Sequence, residues 1–227
     1  MNNLSYLNFI CKKNPNINIL RVFDFSFSNK FQEINEELTV DEFEAVKNCI
    51  KYKNKYDMSF WESLFILMKE GQTVSKRMLN HSIFHNENNK YINIKRDDFF
   101  DYIKTDIDGN VALNSKVVLK DGTVMHIPML DFKIPSNKSN LDIVHNVIEM
   151  FNLDGLILNS GKSFHFIGFD LITENDLINL LSKFILLHPI SDKAWAAHQI
   201  IERSASLRIS KKYGKYPYLM ESKINLS

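Results

Sequence analysis

The amino-acid sequence predicts an α+β protein in which an antiparallel or mixed sheet is backed by helices. Paired strand-like segments occur in the second half of the chain, and helical periodicity follows each pair. Only 7 Gly and 5 Pro occur in 227 residues, which indicates regular elements joined by short connections. The order strand, strand, helix, strand, strand, helix, helix, strand is typical of the α+β class.

The N-terminal region, residues 1–110, is predicted to be mainly helical and to pack on the sheet or complete it. Its β-branched and aromatic residues predict a strand at Ile17–Phe27. Two capping boxes predict helix starts, Thr39 with Glu42 and Ser59 with Glu62.

Residues 111–227 are predicted to form the core domain. Asp-Gly at 121–122 supplies the positive φ angles of a tight turn and predicts a hairpin. The predicted elements are a hairpin of Val117–Leu119 with Val124–Ile134, a helix at Asn140–Phe151, a hairpin of Gly155–Leu158 with Ser163–Phe169, helices starting at Thr173 and Asp192, and a strand at Leu207–Ser210.

Charge and composition limit the classes of function. The net charge is +1, from 28 basic and 27 acidic residues, so the chain lacks the basic excess of proteins that coat duplex DNA. Nucleic-acid binding is expected to be local, in the basic and tyrosine-rich stretch that contains Arg203, Lys211 and Lys212. The alternative is a solvated basic tail with no partner.

The compartment expected from the sequence is the cytoplasm. The N-terminus lacks the pattern of a secretory signal, and no window approaches the roughly 18 apolar residues of a membrane span. Cys11 and Cys49 make no disulfide framework. No membrane partner is expected.

Polar side chains alternate with aromatic ones on two of the predicted strands. Side chains two residues apart on a strand share a face, so Ser163 and His165 lie on one face and the intervening aromatics on the other. The same rule puts Asp131 and Lys133 on one face of the preceding hairpin, and Lys162 lies at the edge beside the turn. The aromatic face is expected to pack into the core and the polar face to meet a ligand.

This set of groups suits a polyphosphate. A hydroxyl, an imidazole and an ammonium donate hydrogen bonds to phosphate oxygens. A carboxylate can hold Mg²⁺ or Mn²⁺, which phosphates also bind. The alternative is a solvent-facing strand with ordinary polar residues.

The same segments resemble the motifs of the archaeo-eukaryotic primase superfamily, over roughly residues 110–220. Gly161–His165 resembles its Ser-x-His motif, and Met129–Lys133 takes the place of the preceding strand, which in the family carries a hydrophobic–Asp–hydrophobic–Asp/Glu pattern. Ile190–Asp192 resembles the third acidic motif, and Leu207–Ser210 resembles the basic strand that follows it. Trp195–Arg203 is similar to a primase-like branch that has a single aspartate in its first motif.

The resemblance implies an RRM-like primase-type core and a role for each matching residue. Asp131 and Asp192 would be metal ligands and would form the catalytic set with His165. Ser163 with His165 would bind the triphosphate of a nucleotide, and Arg208 would be a further phosphate contact. The alternative for Asp192 is a helix N-cap.

One position departs from the family pattern. Lys133 stands where polymerising members hold a second carboxylate, and its ammonium would repel a second metal ion. Lys133 and Lys162 are therefore expected to contact nucleotide phosphates, with one Mg²⁺ or Mn²⁺ ion rather than two.

Three functions remain open from the sequence. The first is a metal-dependent, template-directed nucleotidyltransferase of the primase or polymerase type, acting on nucleoside triphosphates with single-stranded DNA or RNA. The second is an inactive primase-like module that binds nucleotide or nucleic acid, in replication of a mobile element or in phage defence, with a helicase or another replication or defence protein as partner. The third is a protein-interaction domain with no nucleotide pocket.

Overall fold

A strand near the N-terminus lies inside the main sheet. The computed structural model describes residues 6–24, 38–56, 58, 60–72, 74–84, 90–104, 111–211 and 214–220. In chain order the described elements are α1 (Tyr6–Lys13), β1 (Ile17–Asp24), α2 (Val40–Tyr56), α3 (Phe60–Lys69), α4 (Lys76–Phe84), β2 (Lys90–Lys95), α5 (Arg96–Lys104), β3 (Val111–Leu119), β4 (Val124–His126), β5 (Met129–Asp131), α6 (Lys138–Met150), β6 (Gly155–Asn159), β7 (Phe164–Gly168), α7 (Glu174–Ile185), α8 (Lys193–Ile201), β8 (Ser206–Arg208) and β9 (Tyr218–Leu219).

The described strands form two sheets. The first has the order β2-β1-β3-β4, and β8 pairs with β3 alongside β4. The second has the order β5-β7-β6-β9. Each of these strand pairs is antiparallel. The predicted α+β class, with antiparallel sheets and helices, is confirmed.

The chain passes from one sheet to the other at Pro128. Val124–Ile134 was predicted to be one strand of a hairpin, and this is wrong: β4 pairs with β3, whereas β5 pairs with β7. Proline cannot donate a ladder hydrogen bond, so a strand that reaches it ends or changes partner. This switch places the end of β5 beside β7.

A close approach of backbones positions β6 against β7. A Cβ at Gly155 would lie 2.4 Å from the carbonyl oxygen of Ile167 and 2.7 Å from the Cα of Gly168. Both distances are far below van der Waals contact, so only glycine fits there.

The chain divides into two units by its contacts. One unit is Met1–Phe25 with Lys90–Ser227, and the other is Ser26–Asn89. β1 and β2 belong to the first unit and pair within the first sheet.

The larger unit has one hydrophobic cluster, to which both sheets contribute. Leu20 and Val22 of β1 and Leu113 of β3 belong to it, with Leu156 of β6 and Phe166 of β7 from the second sheet.

The smaller unit contains three of the helices, α2, α3 and α4. Its core includes Val46, Cys49, Leu64 and Met78. The first predicted capping box is confirmed, since the Thr39 N–H donates to Glu42 Oε2 at 2.9 Å. Ser59 of the second lies outside the described residues, although α3 begins at the next residue.

No helix in the described part of the chain combines the length and apolar character that crossing a membrane requires.

Candidate functional site

The structure brings Asp131 and His165 together. β5 ends at Asp131, and the register of β5 with β7 places Asp131 directly opposite His165. Directly opposed residues on neighbouring strands project from the same face. His165 Nε2 lies 3.6 Å from Asp131 Oδ1. The two groups therefore form an ion pair whenever the imidazole is protonated.

The face of β7 that carries His165 is not open to solvent, so the expectation of an exposed polar face is wrong. Leu158 lies opposite His165 on β6, and both Leu158 and Ile167 are fully buried. His165 itself is only 5% exposed, whereas the Asp131 side chain is 22% exposed. Both faces of the second sheet are covered, and the pair is reached from the Asp131 side.

A short turn carries Ser163 to the same edge. Gly161 has φ +108°, and its N–H donates to Asn159 Oδ1 at 2.8 Å, which closes the turn between β6 and β7. The hydroxyl oxygens of Ser160 and Ser163 lie 3.0 Å apart, and Ser160 Oγ also donates to the Ser163 carbonyl at 3.1 Å. Two hydroxyls are thus held together just before His165. Lys162 is exposed at the tip of the turn.

Arg208 ties this turn to β8. Its Nη2 donates to the Ser160 carbonyl at 2.6 Å, and its Nη1 donates to the Ser210 carbonyl. Burial lowers the pKa of Arg208, while Tyr6 and then Asp131 act in the opposite direction. Arginine stays protonated in proteins, so this is a fixed cation beside Asp131.

Asp192 also reaches the site. Phe132 and Ser191 form an antiparallel bridge, and the Asp192 N–H donates to the Asp131 carbonyl at 3.0 Å. This register places Asp192 opposite Asp131, on the side away from β7. Asp131 therefore lies between His165 on one neighbouring segment and Asp192 on the other.

The helix-cap role of Asp192 is present as well. Asp192 precedes α8, and its Oδ1 accepts a hydrogen bond from the Trp195 N–H at 3.0 Å. The two interpretations made from the sequence are compatible, because the cap uses one carboxylate oxygen and leaves the other.

Lys133 lies two residues beyond the end of β5. Its N–H donates to the Ile190 carbonyl at 2.8 Å, and its side chain is partly exposed. The chain therefore carries a cation, Lys133, two residues after Asp131, where the family pattern expected from the sequence has a second carboxylate.

Two of the residues predicted to bind nucleic acid, Arg203 and Lys211, have partners within the chain. Arg203 Nε donates to Glu174 Oε1 at 2.7 Å. The Lys211 ammonium lies over the Tyr216 ring, 5.2 Å from its centroid. Lys212 lies outside the described residues.

Two residues at the site were missed from the sequence. Ser160 was within reach of prediction, because it is a second hydroxyl in the turn that bears Ser163. Tyr6 gave no such signal, since it lies far from Arg208 in sequence. Tyr6 is 1% exposed, burial raises the pKa of its hydroxyl, and that hydroxyl has no hydrogen-bond partner within the described ranges.

The described side chains at this edge offer few ligands for a divalent ion. Mg²⁺ is commonly bound by one or two carboxylates together with substrate phosphates. Asp131 and Asp192 supply two carboxylates on neighbouring segments. Among the residues that the structure describes, no group of three His, Cys, Asp or Glu side chains could hold a metal ion. Asp131, His165 and Asp192 therefore do not form such a group by themselves, and a divalent ion at this edge would need phosphate oxygens or water to complete its ligands.

Searches of curated proteins and of solved structures gave no match. A model of one protein family, described as archaeo-eukaryotic primase 1D-like, matches residues 99–221. This range covers more than half of the chain, includes β3 to β9, and contains Asp131, Ser163, His165, Asp192 and Arg208. The chain belongs to the archaeo-eukaryotic primase 1D-like family.

Proposed function

We propose that the edge formed by β5, β7 and the turn before β7 binds the phosphates of a nucleoside triphosphate. The observation that carries the proposal is the register of β5 with β7, which sets Asp131 opposite His165 with 3.6 Å between Oδ1 and Nε2. Ser163 and the Arg208 guanidinium lie at the same edge through the Ser160 turn.

The charges at this edge are complementary to a metal-bound phosphate. Ser163 and His165 supply hydrogen-bond donors, and Arg208 supplies a fixed positive charge. Lys162 is an exposed cation at the tip of the turn. The Asp131 and Asp192 carboxylates would repel a phosphate unless a cation lay between the carboxylates and the phosphate. One Mg²⁺ or Mn²⁺ ion held by these two carboxylates would remove the repulsion and bind the same phosphates.

Nucleotide affinity tests this proposal. Isothermal titration of the full chain with ATP and dATP, with Mg²⁺, Mn²⁺ or EDTA, is expected to show binding that depends on the metal. Ser163→Ala removes a donor to a charged group and is expected to weaken binding about tenfold. Ser182→Ala is the matched control, because the Ser182 hydroxyl is exposed on α7 and donates to the Ile178 carbonyl.

Two outcomes would contradict the proposal. One is the absence of binding for every nucleotide and metal tested. The other is an equal affinity of the Ser163→Ala and Ser182→Ala proteins.

A second function, template-directed nucleotidyl transfer, is favoured by the position of Asp192. The bridge between Phe132 and Ser191 brings a second carboxylate beside Asp131, in spite of Lys133. The protein would be incubated with NTPs or dNTPs, single-stranded template and each metal. A labelled product that Asp131→Asn abolishes supports an enzyme, whereas nucleotide binding without product supports a binding module. Single-stranded DNA or RNA and a helicase or other replication or defence protein are the partners proposed with either function.

A further inference from the structure

The first sheet has an outer face that the nucleotide site does not use. Leu20 and Val22 of β1 are at most 1% exposed and belong to the core, so Arg21 between them projects from the other face. Arg21 pairs with Asn93 of β2, and both side chains are at least partly exposed. We call this surface the outer face and define it by Arg21, Phe23, Tyr91, Asn93, Lys95 and Lys116.

An aromatic ring and a guanidinium are pre-arranged on the outer face. The Arg21 guanidinium lies over the Tyr91 ring, 5.3 Å from its centroid, and Arg21 Nε donates to Asn93 Oδ1 at 3.0 Å. Phe23 lies opposite Tyr91 in the register, with ring centroids 5.5 Å apart. Tyr91 remains 37% exposed. Side chains fixed in this way lose little conformational entropy when a ligand binds.

The charge of the outer face is positive. Arg21 and Lys95 lie on neighbouring strands, and Lys116 lies on β3 opposite His126 of β4. Two carboxylates lie near this face: Glu174 is paired with the Arg203 cation, whereas Glu202 accepts from a neutral hydroxyl and keeps its charge, which the three cations exceed. Tyr91 donates its hydroxyl hydrogen to Glu202 Oε2 at 3.1 Å, and Glu174 accepts from Arg203.

Cations beside an exposed aromatic ring are the combination that binds unpaired nucleotides. Bases of a single strand stack on aromatic side chains, and the phosphates contact neighbouring cations. Bases of a duplex are already stacked and paired, so a ring on a flat sheet cannot reach their faces. The chain's net charge of +1 also argues against extended binding to duplex DNA.

We propose that the outer face of the first sheet binds single-stranded nucleic acid, with a base stacked on Tyr91 and phosphates contacted by Arg21, Lys95 and Lys116. This surface is formed by residues of β1, β2 and β3, shares no residue with the proposed nucleotide site and does not depend on it. It also shares no residue with the basic stretch that contains Arg203 and Lys211.

Fluorescence anisotropy with the full chain and labelled single-stranded DNA or RNA tests the proposal. The oligonucleotides are about 20 nucleotides long, which exceeds the site size of known single-strand binders. Tyr91→Ala is expected to weaken binding at least about fivefold, since loss of one stacked base has that effect or more. Tyr91→Phe keeps the ring and is expected to retain binding. Lys116→Ala is expected to reduce the slope of log affinity against log salt by about 0.7, the value for one lost phosphate contact.

The matched control is Tyr56→Ala, which removes an exposed tyrosine from the smaller unit. Urea midpoints of all variants confirm that they fold. ATP affinity is measured in parallel: Tyr91→Ala is expected to leave it unchanged, and Ser163→Ala is expected to leave oligonucleotide affinity unchanged. Failure of one site is thereby distinguished from failure of the other.

The proposal is overturned by any of three results. The first is a wild-type protein that binds neither oligonucleotide. The second is a Tyr91→Ala protein with the same affinity as the Tyr56→Ala control. The third is competition by duplex DNA or an acidic peptide that is as effective as competition by an unlabelled single strand.

Discussion

Replacement of Asp192 separates its two roles at the site. The Asp192 carboxylate caps α8 through a 3.0 Å hydrogen bond from Trp195 and lies opposite Asp131. Loss of an N-cap side chain costs about 1 kcal/mol. Asp192→Ala is therefore expected to lower the melting temperature by about 2–4 °C in a chain of this size.

Asp192→Asn is the informative comparison, because Asn caps a helix about as well as Asp. It loses only the favourable interaction of a negative charge with the helix N-terminus, about 0.5 kcal/mol. If Asp192 holds a divalent ion, both substitutions weaken Mg²⁺-dependent ATP binding about tenfold, which is 1.4 kcal/mol. In EDTA the variants and the wild type are expected to behave alike.

Urea denaturation followed by circular dichroism measures the first effect, and isothermal titration measures the second. An Asp192→Asn protein that keeps wild-type affinity for Mg²⁺-ATP would show that Asp192 is a cap alone. An Asp192→Ala protein as stable as the wild type would show that the cap contributes nothing measurable.

Three further predictions concern the fold that holds the site. Phe132→Ala empties a position that is 0% exposed beside Asp131 and is expected to cost about 3–5 kcal/mol, measured by urea denaturation. Gly155→Ala is expected to cost about 3 kcal/mol because its Cβ would lie 2.4 Å from a carbonyl oxygen; Gly122→Ala meets open space and is expected to cost only about 1 kcal/mol for its φ of +86°. Equal urea midpoints for the two glycine variants would contradict this reasoning. Burial lowers the pKa of His126 from 6.5 to about 4, so the unfolded chain binds a proton that the folded chain does not. The free energy of unfolding is therefore highest above pH 6.5 and falls by about 3 kcal/mol as the pH is lowered towards 4. Urea midpoints between pH 4 and 8 measure this loss, and a His126→Gln protein whose midpoint varies with pH as the wild type's does would refute it.

Local patterns in the sequence predicted much of the site. The alternation of Ser163, Phe164 and His165 gave the correct strand, and Asp-Gly at 121–122 gave the correct turn. The cap at Thr173 is present, since its Oγ1 accepts from the Asp176 N–H at 3.2 Å. These features depend on neighbours a few residues apart, and therefore the sequence contains the information needed to predict them.

Features that depend on distant segments were not predictable in the same way. Alternation along β7 shows that His165 and Phe164 project from opposite faces of the sheet, but it does not show that other parts of the protein cover both faces. The hydrogen bond from Arg208 to the Ser160 carbonyl joins residues 48 positions apart. The division of one predicted strand at Pro128 depends on which partner each half finds. In these cases tertiary packing decided between arrangements that are equivalent in local sequence.

The pairing of β1 with β2 has a consequence for the segment between them. Asp24 and Lys90 are opposite each other in the sheet, so the smaller unit, Ser26–Asn89, is an insertion between two paired strands. If that insertion were an unstructured loop, the entropic cost of closing it would exceed the cost of closing a four-residue turn by about 2.5 kcal/mol. Its own buried cluster around Cys49 and Leu64 orders much of that length. Substitutions in that cluster are therefore expected to destabilise the insertion itself, whereas the register that pairs Arg21 with Asn93 and Phe23 with Tyr91 is formed by β1 and β2.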